Sequence, residues 1–190
     1  IDMLLSTNPM AYAIPTGEES PFVLDMATTV ASYGKVKVYA QSGKPMPEGW
    51  MINAKGESIT DASRANEGFL LPIGGHKGYG LSVICEMFAG ALTGNSCSNP
   101  ANDQRLLNGM FSLIIDCDRL PEELGFAAEV QRFIDYVKSA RKAPGCNEIL
   151  MPGEIEERNR RDREANGIEV DDTTWQTLVD AARNLDIEDS

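Results

Sequence analysis

The sequence predicts an α+β fold, a mixed or mainly antiparallel sheet with helices packed on it, and three observations carry that prediction. Strand-like segments are few and do not alternate regularly with helical ones, which disfavours a doubly wound parallel sheet. Five stretches repeat apolar residues at helical spacing or carry helix-capping signals. No GxGxxG run follows a strand with an acidic residue downstream, so the fold is expected to be non-Rossmann.

Ala11 to Ile14 and Phe22 to Leu24 read as short strands, separated by Pro15, Gly17 and Pro21. Asp25 can cap a helix running from Met26 to about Gln41, in which Val30, Tyr33, Val36 and Ala40 recur at helical spacing and Gly43 with Pro45 forms the stop. Gly43 to Trp50 is a loop anchored by packing of Trp50, and Asn53 to Asp61 is a surface excursion around Gly56. A helix follows Lys77, with Leu81, Val83, Ile84, Met87, Phe88, Ala91 and Leu92 expected to bury one face. Asn95 to Asn108 is a polar loop, and Gly109 to Asp116, GMFSLIID, reads as a buried strand. Phe126 to Arg141 is an amphipathic helix stopped by Pro144 and Gly145. Ile155 to Ala165 is a charged helix ended by Asn166 and Gly167. A last helix, centred on Trp175, Leu178, Val179 and Ala182, is capped by Asp171 or Asp172.

The stretch from Leu71 to Gly94 holds the only histidine, His76, beside Lys77 and among Gly74, Gly75, Gly78 and Gly80. Glycines let the backbone approach a ligand or another element closely. A helix opening there would offer free N–H groups and a positive dipole end, and Lys77 would add a full charge, a combination suited to phosphate. The spacing is not that of a P-loop, which needs Ser or Thr after its lysine. The bland alternatives are a structural histidine, a solvated lysine and, for Asp25, a helix cap.

Bulk properties narrow the class. At 190 residues and 42% hydrophobic content the chain can bury a core, and a formal net charge of −12 argues against nucleic-acid partners. No apolar run reaches the ~20 residues of a membrane span and no signal peptide is visible, so a soluble, cytoplasmic protein is expected. Cys85, Cys97, Cys117 and Cys146 lack CxxC spacing and a second histidine, which points to buried reduced thiols and no metal site. The first residue is Ile1 rather than Met, so an upstream portion holding essential residues is expected.

Five segments, taken in order, resemble the type-2 malate/L-lactate dehydrogenase family, which includes ureidoglycolate, sulfolactate and diketogulonate-type enzymes. They are STNPMAYAIP (Ser6 to Pro15), PFVLDMATT (Pro21 to Thr29), GKPMPEGW (Gly43 to Trp50), LLPIGGHKGYGLSV (Leu70 to Val83) and MPGEIEERNR (Met151 to Arg160). The resemblance covers nearly the whole chain but only the later, C-terminal part of the family pattern. It implies hydride transfer between NAD or NADP and a small 2-hydroxy acid or its 2-oxo partner, such as malate or lactate. It also implies a non-Rossmann cofactor site and a homodimer.

Carried over by residue, the resemblance sets Leu24, Asp25 and Met26 against the nicotinamide cofactor, together with His76 and Lys77 and with Gly153, Glu154 and Ile155. From the residues alone Glu154 reads sooner as a first-turn acid that favours its helix dipole, and Thr7, Asn8 and Pro9 read equally as a structural turn before a strand and stand outside the site. The family's catalytic histidine lies in the earlier region, so His76 does not inherit that role and the catalytic residue is unassigned. The organisation implied is a cofactor-binding α+β domain over residues 1–150 and a helical segment over 151–190 that packs on an upstream helical region. The rival reading is an inert remnant or nucleotide-binding module of the same fold.

Overall fold

The computed structural model describes residues 4–18, 20–99, 108–185 and 187. The chain divides into two units, Ile1–Tyr136 and Val137–Ser190. The division falls inside a helix. Residues 100–107 of the expected polar loop lie outside the described residues, and 95–99 carry no helix or strand.

In the first unit, β1 (Met10–Ile14) and β2 (Phe22–Met26) form an antiparallel hairpin. Its turn is fastened by Thr16, whose hydroxyl donates to Ser20 O at 3.0 Å and accepts from Glu18 N at 3.2 Å. Asp25 does not cap a helix: it lies within β2, opposite Ala11. The helix α1 (Tyr33–Ser42) starts well after Met26, capped by Ser32, whose hydroxyl accepts from Lys35 N at 3.2 Å. The delay has a backbone cause. Thr28 N donates to Thr7 O and Val30 N to Leu71 O, each at 2.9 Å, so these amides are committed to neighbouring segments before a helix can claim them. Thr28, Thr29 and Val30 are also β-branched and favour extended backbone.

Gly43, with φ +63°, ends α1 as expected. The loop that follows leads into a three-stranded antiparallel sheet, ordered β4 (Ser58–Ile59), β3 (Met51–Asn53), β5 (Gly68–Leu70). These strands went unread because two or three residues are too short to show alternation. The surface excursion around Gly56 is the β3–β4 turn, in which Asn53 Oδ1 accepts from Lys55 N at 2.9 Å and Glu57 N at 3.0 Å. The sheet and α1 enclose the core: Val36, Met46, Met51, Ile59 and Leu70, with Ala31 and Ala62. Met51 is wholly buried, worth about 1.5–3 kcal/mol. Trp50 anchors its loop by packing edge-on to Tyr39, ring centroids 5.3 Å apart.

The glycine-flanked helix is α2 (His76–Cys85), continued without a break by a π-helical segment, Glu86–Leu92. The expected one-sided burial is not found. Gly78, Ser82 and Gly90 are the buried positions, while Ile84, Met87, Phe88 and Leu92 reach solvent. The apolar residues encircle the helix, and a helix apolar all round is one whose other faces also belong against protein.

GMFSLIID is not a buried strand either. Residues 109–116 carry no helix or strand, and Met110, Leu113, Ile114 and Ile115 are exposed, with Ile114 at 90%. Only a hydrogen-bonded neighbour makes an extended run a strand, and the described residues supply none. Phe111 stacks on Phe88, ring centroids 5.0 Å apart. Cys117 then opens a short 3-10 turn capped by Asp116. The cysteines form no disulfide with one another, but they are not buried: Cys85, Cys97 and Cys117 are half-buried and Cys146 is exposed. Burial first, and then the Glu86 carboxylate, push the Cys85 thiol up from its ordinary value.

The helix α3 (Phe126–Lys138) stops short of the expected Arg141. In the second unit, α4 (Glu154–Asn166) ends at Gly167 with φ +88°, and α5 (Asp172–Asn184) is capped by Asp171, whose carboxylate accepts from Thr174 N at 2.9 Å. Because α4 is polar nearly all round, ion pairs carry it. Glu157 meets Arg160 at 2.8 Å and Arg161 at 2.7 Å, and Arg160 also meets Glu164 at 2.7 Å. Trp175 and Leu178 of α5 are exposed.

Two outcomes follow from these surfaces. Replacing Leu113 and Ile114 together by Ser should leave the unfolding free energy within about 0.5 kcal/mol of the parent, while light scattering shows less self-association. For Glu157, hydrogen bonds from Arg160 and then Arg161 hold its carboxyl at about 2, below its ordinary 4.5. Its contribution is therefore present above about pH 4.5 and lost as the pH falls through about 2. Thermal melts across that window should fall less steeply for Glu157→Gln than for the parent.

Candidate functional site

The residues of interest in the first unit sit on two segments that the backbone ties together. Ile73 N donates to Thr28 O at 2.9 Å, and Thr29 forms an isolated antiparallel bridge with Pro72. The end of β2 is thereby fastened to the entrance of α2. Thr28 is fully buried, and both its N–H (2.9 Å) and its hydroxyl (3.0 Å) donate to Thr7 O.

On β2, Leu24 and Met26 share one face and are half-buried, whereas Asp25 points to the other and is exposed. His76 and Lys77 are the first residues of α2 and both are exposed. Their glycines do separate jobs. Gly75 caps the helix with φ +61°. Gly78 is required by contact, because a Cβ there would lie 2.4 Å from Ile73 O and 2.7 Å from Thr28 O. The close approach expected of this motif is thus backbone on backbone.

The free N–H groups expected at this helix start are partly spoken for. Gly75 N, Lys77 N and Gly78 N donate to the carbonyls of Pro72, Gly74 and Ile73 at 3.2, 3.4 and 2.8 Å. What remains for an anion is the positive end of the helix and the Lys77 ammonium.

In the second unit Gly153 caps α4 with φ +94°, Glu154 is half-buried and Ile155 is exposed. The Glu154 carboxylate accepts from Met151 N at 3.1 Å and pairs with Lys138. Burial raises its pKa, but the Lys138 and Met151 hydrogen bonds together outweigh that and leave it below the ordinary value. Glu154 therefore has a structural task, closing the first turn of α4.

Sequence reading missed Asn8 and Thr28. Asn8 has φ +30° and its side-chain N–H group reaches Ser82 O at 3.2 Å, Ser82 Oγ at 3.0 Å and Glu86 Oε1 at 3.0 Å. The available signal was Asn itself, which tolerates left-handed backbone better than other side-chain-bearing residues. A depression of about 250 Å³, lined by Tyr39, Gly43, Lys44, Asp61 and Ser63 among others, includes none of the candidate residues. Among the described residues no cluster of His, Cys, Asp or Glu could hold a metal ion, and no helix is long and apolar enough to cross a membrane.

The sequence model of malate/L-lactate dehydrogenase matches residues 1–179. The chain belongs to the malate/L-lactate dehydrogenase family. It is 36% identical to the L-sulfolactate dehydrogenase of Methanothermobacter thermautotrophicus, over 97% of this chain and 53% of that protein. It is 35% identical to the L-lactate dehydrogenase of Cupriavidus necator, over 96% of this chain and 54% of the relative. The solved structure of malate dehydrogenase from Pyrococcus horikoshii superposes with a TM-score of 0.80 at 31% identity, covering 98% of this chain and 53% of that one. The chain thus spans about half the length of the relatives it matches. The family's α+β fold is the one observed, with helices around small antiparallel sheets.

The junction in this family member makes a contrast between two glycines of one helix. Gly78→Ala should cost about 1–3 kcal/mol by overpacking against backbone. Gly80→Ala meets nothing within 4 Å and should stabilise α2 by roughly 0.5–1 kcal/mol. Denaturant midpoints of the two variants check the pair.

Proposed function

We propose that this chain is the dinucleotide-contacting part of an NAD- or NADP-dependent dehydrogenase acting on a small 2-hydroxy acid or its 2-oxo partner, of which malate and lactate are the chemical type. The observation that carries the reading is the Ile73 N to Thr28 O bond, 2.9 Å, in a chain of this family. It sets the strand Leu24–Met26 and the residues His76 and Lys77 on one backbone frame.

The chemistry of these groups suits such a cofactor. Lys77 offers an exposed ammonium to the diphosphate, reinforced by the positive end of α2. Asp25, the exposed side chain of β2, can accept from a ribose hydroxyl or the carboxamide, while Leu24 and Met26 give an apolar face to a ring. Gly153 lets a ligand approach the start of α4, Glu154 is an acceptor beside it, and Ile155 adds exposed apolar surface. When bound, the nicotinamide would supply an acceptor for the hydride at C2 of the hydroxy acid. The base for the hydroxyl proton and the clamp for the substrate carboxylate are assigned to the half of the family pattern that lies beyond this chain's match, and His76 is assigned to the cofactor.

The same reading has the protein act as a homodimer in the cytoplasm, with residues 151–190 packed on that other half. Four cysteines outside any disulfide suit a reducing compartment, and exposed Trp175 and Leu178 supply apolar surface for such packing.

Adding NADH or NADPH to the chain should enhance dinucleotide fluorescence and, at a hundredfold excess over Kd, stabilise the fold by about 2.7 kcal/mol. Lys77→Ala should weaken binding by roughly 1.5–3 kcal/mol without lowering the ligand-free Tm. The full product of the reading frame should oxidise the dinucleotide it binds when offered a panel of 2-oxo acids. Absence of any response to either dinucleotide sinks the proposal, and binding without turnover in that full product identifies a nucleotide-binding module instead.

A further inference from the structure

Among the described residues only two that are not glycine have positive φ, Asn8 at +30° and Ser96 at +66°. They lie far apart in sequence, yet both belong to loops bound by one side chain, Glu86. Its Oε1 accepts from Asn8 Nδ2 at 3.0 Å and from Ser98 Oγ at 3.1 Å, and its Oε2 accepts from Ser98 N at 2.7 Å. The Glu86 carbonyl also accepts from the Cys97 thiol at 3.2 Å. Glu86 stands where α2 gives way to the π-helical segment, a helix form that recurs at functional sites. Unfavourable backbone held at two loops by one carboxylate needs a reason, and such strain persists where the surroundings fix it for function.

The bonds lead from Glu86 to the dinucleotide-facing segments. Asn8 is held by Glu86 and by the buried Ser82, while the Cys85 thiol reaches Asn8 O at 3.5 Å. The preceding residue, Thr7, presents the one carbonyl that accepts both donors of buried Thr28. Thr28 O in turn receives Ile73 N, three residues before His76. A shift of Asn8 therefore moves Thr7 O, and with it the junction of β2 with the entrance of α2.

We propose that Glu86 is a positioning residue: through Asn8 and Thr7 it sets the register between Leu24–Met26 and His76–Lys77, and so tunes dinucleotide affinity without touching the ligand. This rests on the dinucleotide reading above. The carboxylate is suited to the task because both oxygens accept, whereas an amide would turn a donor toward either Asn8 or Ser98.

The test compares the parent chain with Glu86→Gln, with Asn8→Asp, which keeps the tolerance for left-handed backbone but removes the donor, and with the double variant. Asn8→Asp also serves should Glu86→Gln fail to fold. Two readouts are taken: the Kd for NADH or NADPH by fluorescence, and amide hydrogen exchange along the chain. The proposal expects each single variant to weaken binding by roughly tenfold while the Tm of the ligand-free protein barely moves. It expects faster exchange confined to the Thr28 and Ile73 amides and their neighbours, and a double variant less impaired than the product of the singles, since the same link is broken twice. Unchanged exchange at Thr28 and Ile73, multiplicative effects, or weakening that merely tracks a lowered Tm overturns it. A parent chain silent to both dinucleotides overturns the dinucleotide reading and this role together, whereas a responsive parent whose variants bind the dinucleotide as tightly as it does overturns this role alone.

Discussion

The first unit depends on the satisfaction of one buried residue. Thr28 has no exposed surface, and all three of its polar groups are committed: N–H and hydroxyl to Thr7 O, carbonyl to Ile73 N. A buried polar group left without a partner costs about 1–3 kcal/mol, so none of the three segments can drift without the others. This constraint explains the late start of α1, the absence of a side chain at Gly78 and the placing of the His76–Lys77 entrance beside the end of β2. A single threonine thus ties the Thr7 segment and the entrance of α2 to the end of β2 by hydrogen bonds, where the apolar core cluster supplies no member.

What could be read from the sequence was whatever one local rule decides. Glycine after α1 and α4, aspartate before α5 and the Pro and Gly punctuation between β1 and β2 each name their element without tertiary help. The glycines of GGHKGYG were legible as sites of close approach, though not that Gly78 serves backbone alone. Asp25 was misread because a strand residue beside a helical-looking run carries the same signal as a cap, and only the bonds of Thr28 and Val30 decide between them. GMFSLIID was misread because hydrophobicity states that a segment should be covered and not by what. Among the candidate residues, Glu154 turned out to hold its own helix, a task its position in the first turn had already suggested.

The two units rest on different physics. The first uses a small apolar core and a lattice of backbone bonds between distant segments, which simple charge screening does not weaken. The second leans on surface ion pairs along α4, individually weak and screened by electrolyte. Candidate residues occur on both, and the solution conditions that loosen one need not loosen the other.

The π-helical segment after α2 has a geometric consequence. Gly78, Ser82, Glu86 and Gly90 recur every fourth residue, and each meets a neighbouring segment: Thr28 and Ile73, Asn8, Asn8 with Ser98, and Ser96. In an α-helix a step of four overshoots a full turn by about 40°, so such a row spirals away from anything straight laid beside it. A π turn is wider and rotates less per residue, which winds the row back. The segment thus acts as a phase corrector, letting one helix keep a single line of small and polar side chains facing its neighbours over a length at which an unbroken α-helix would have turned them aside.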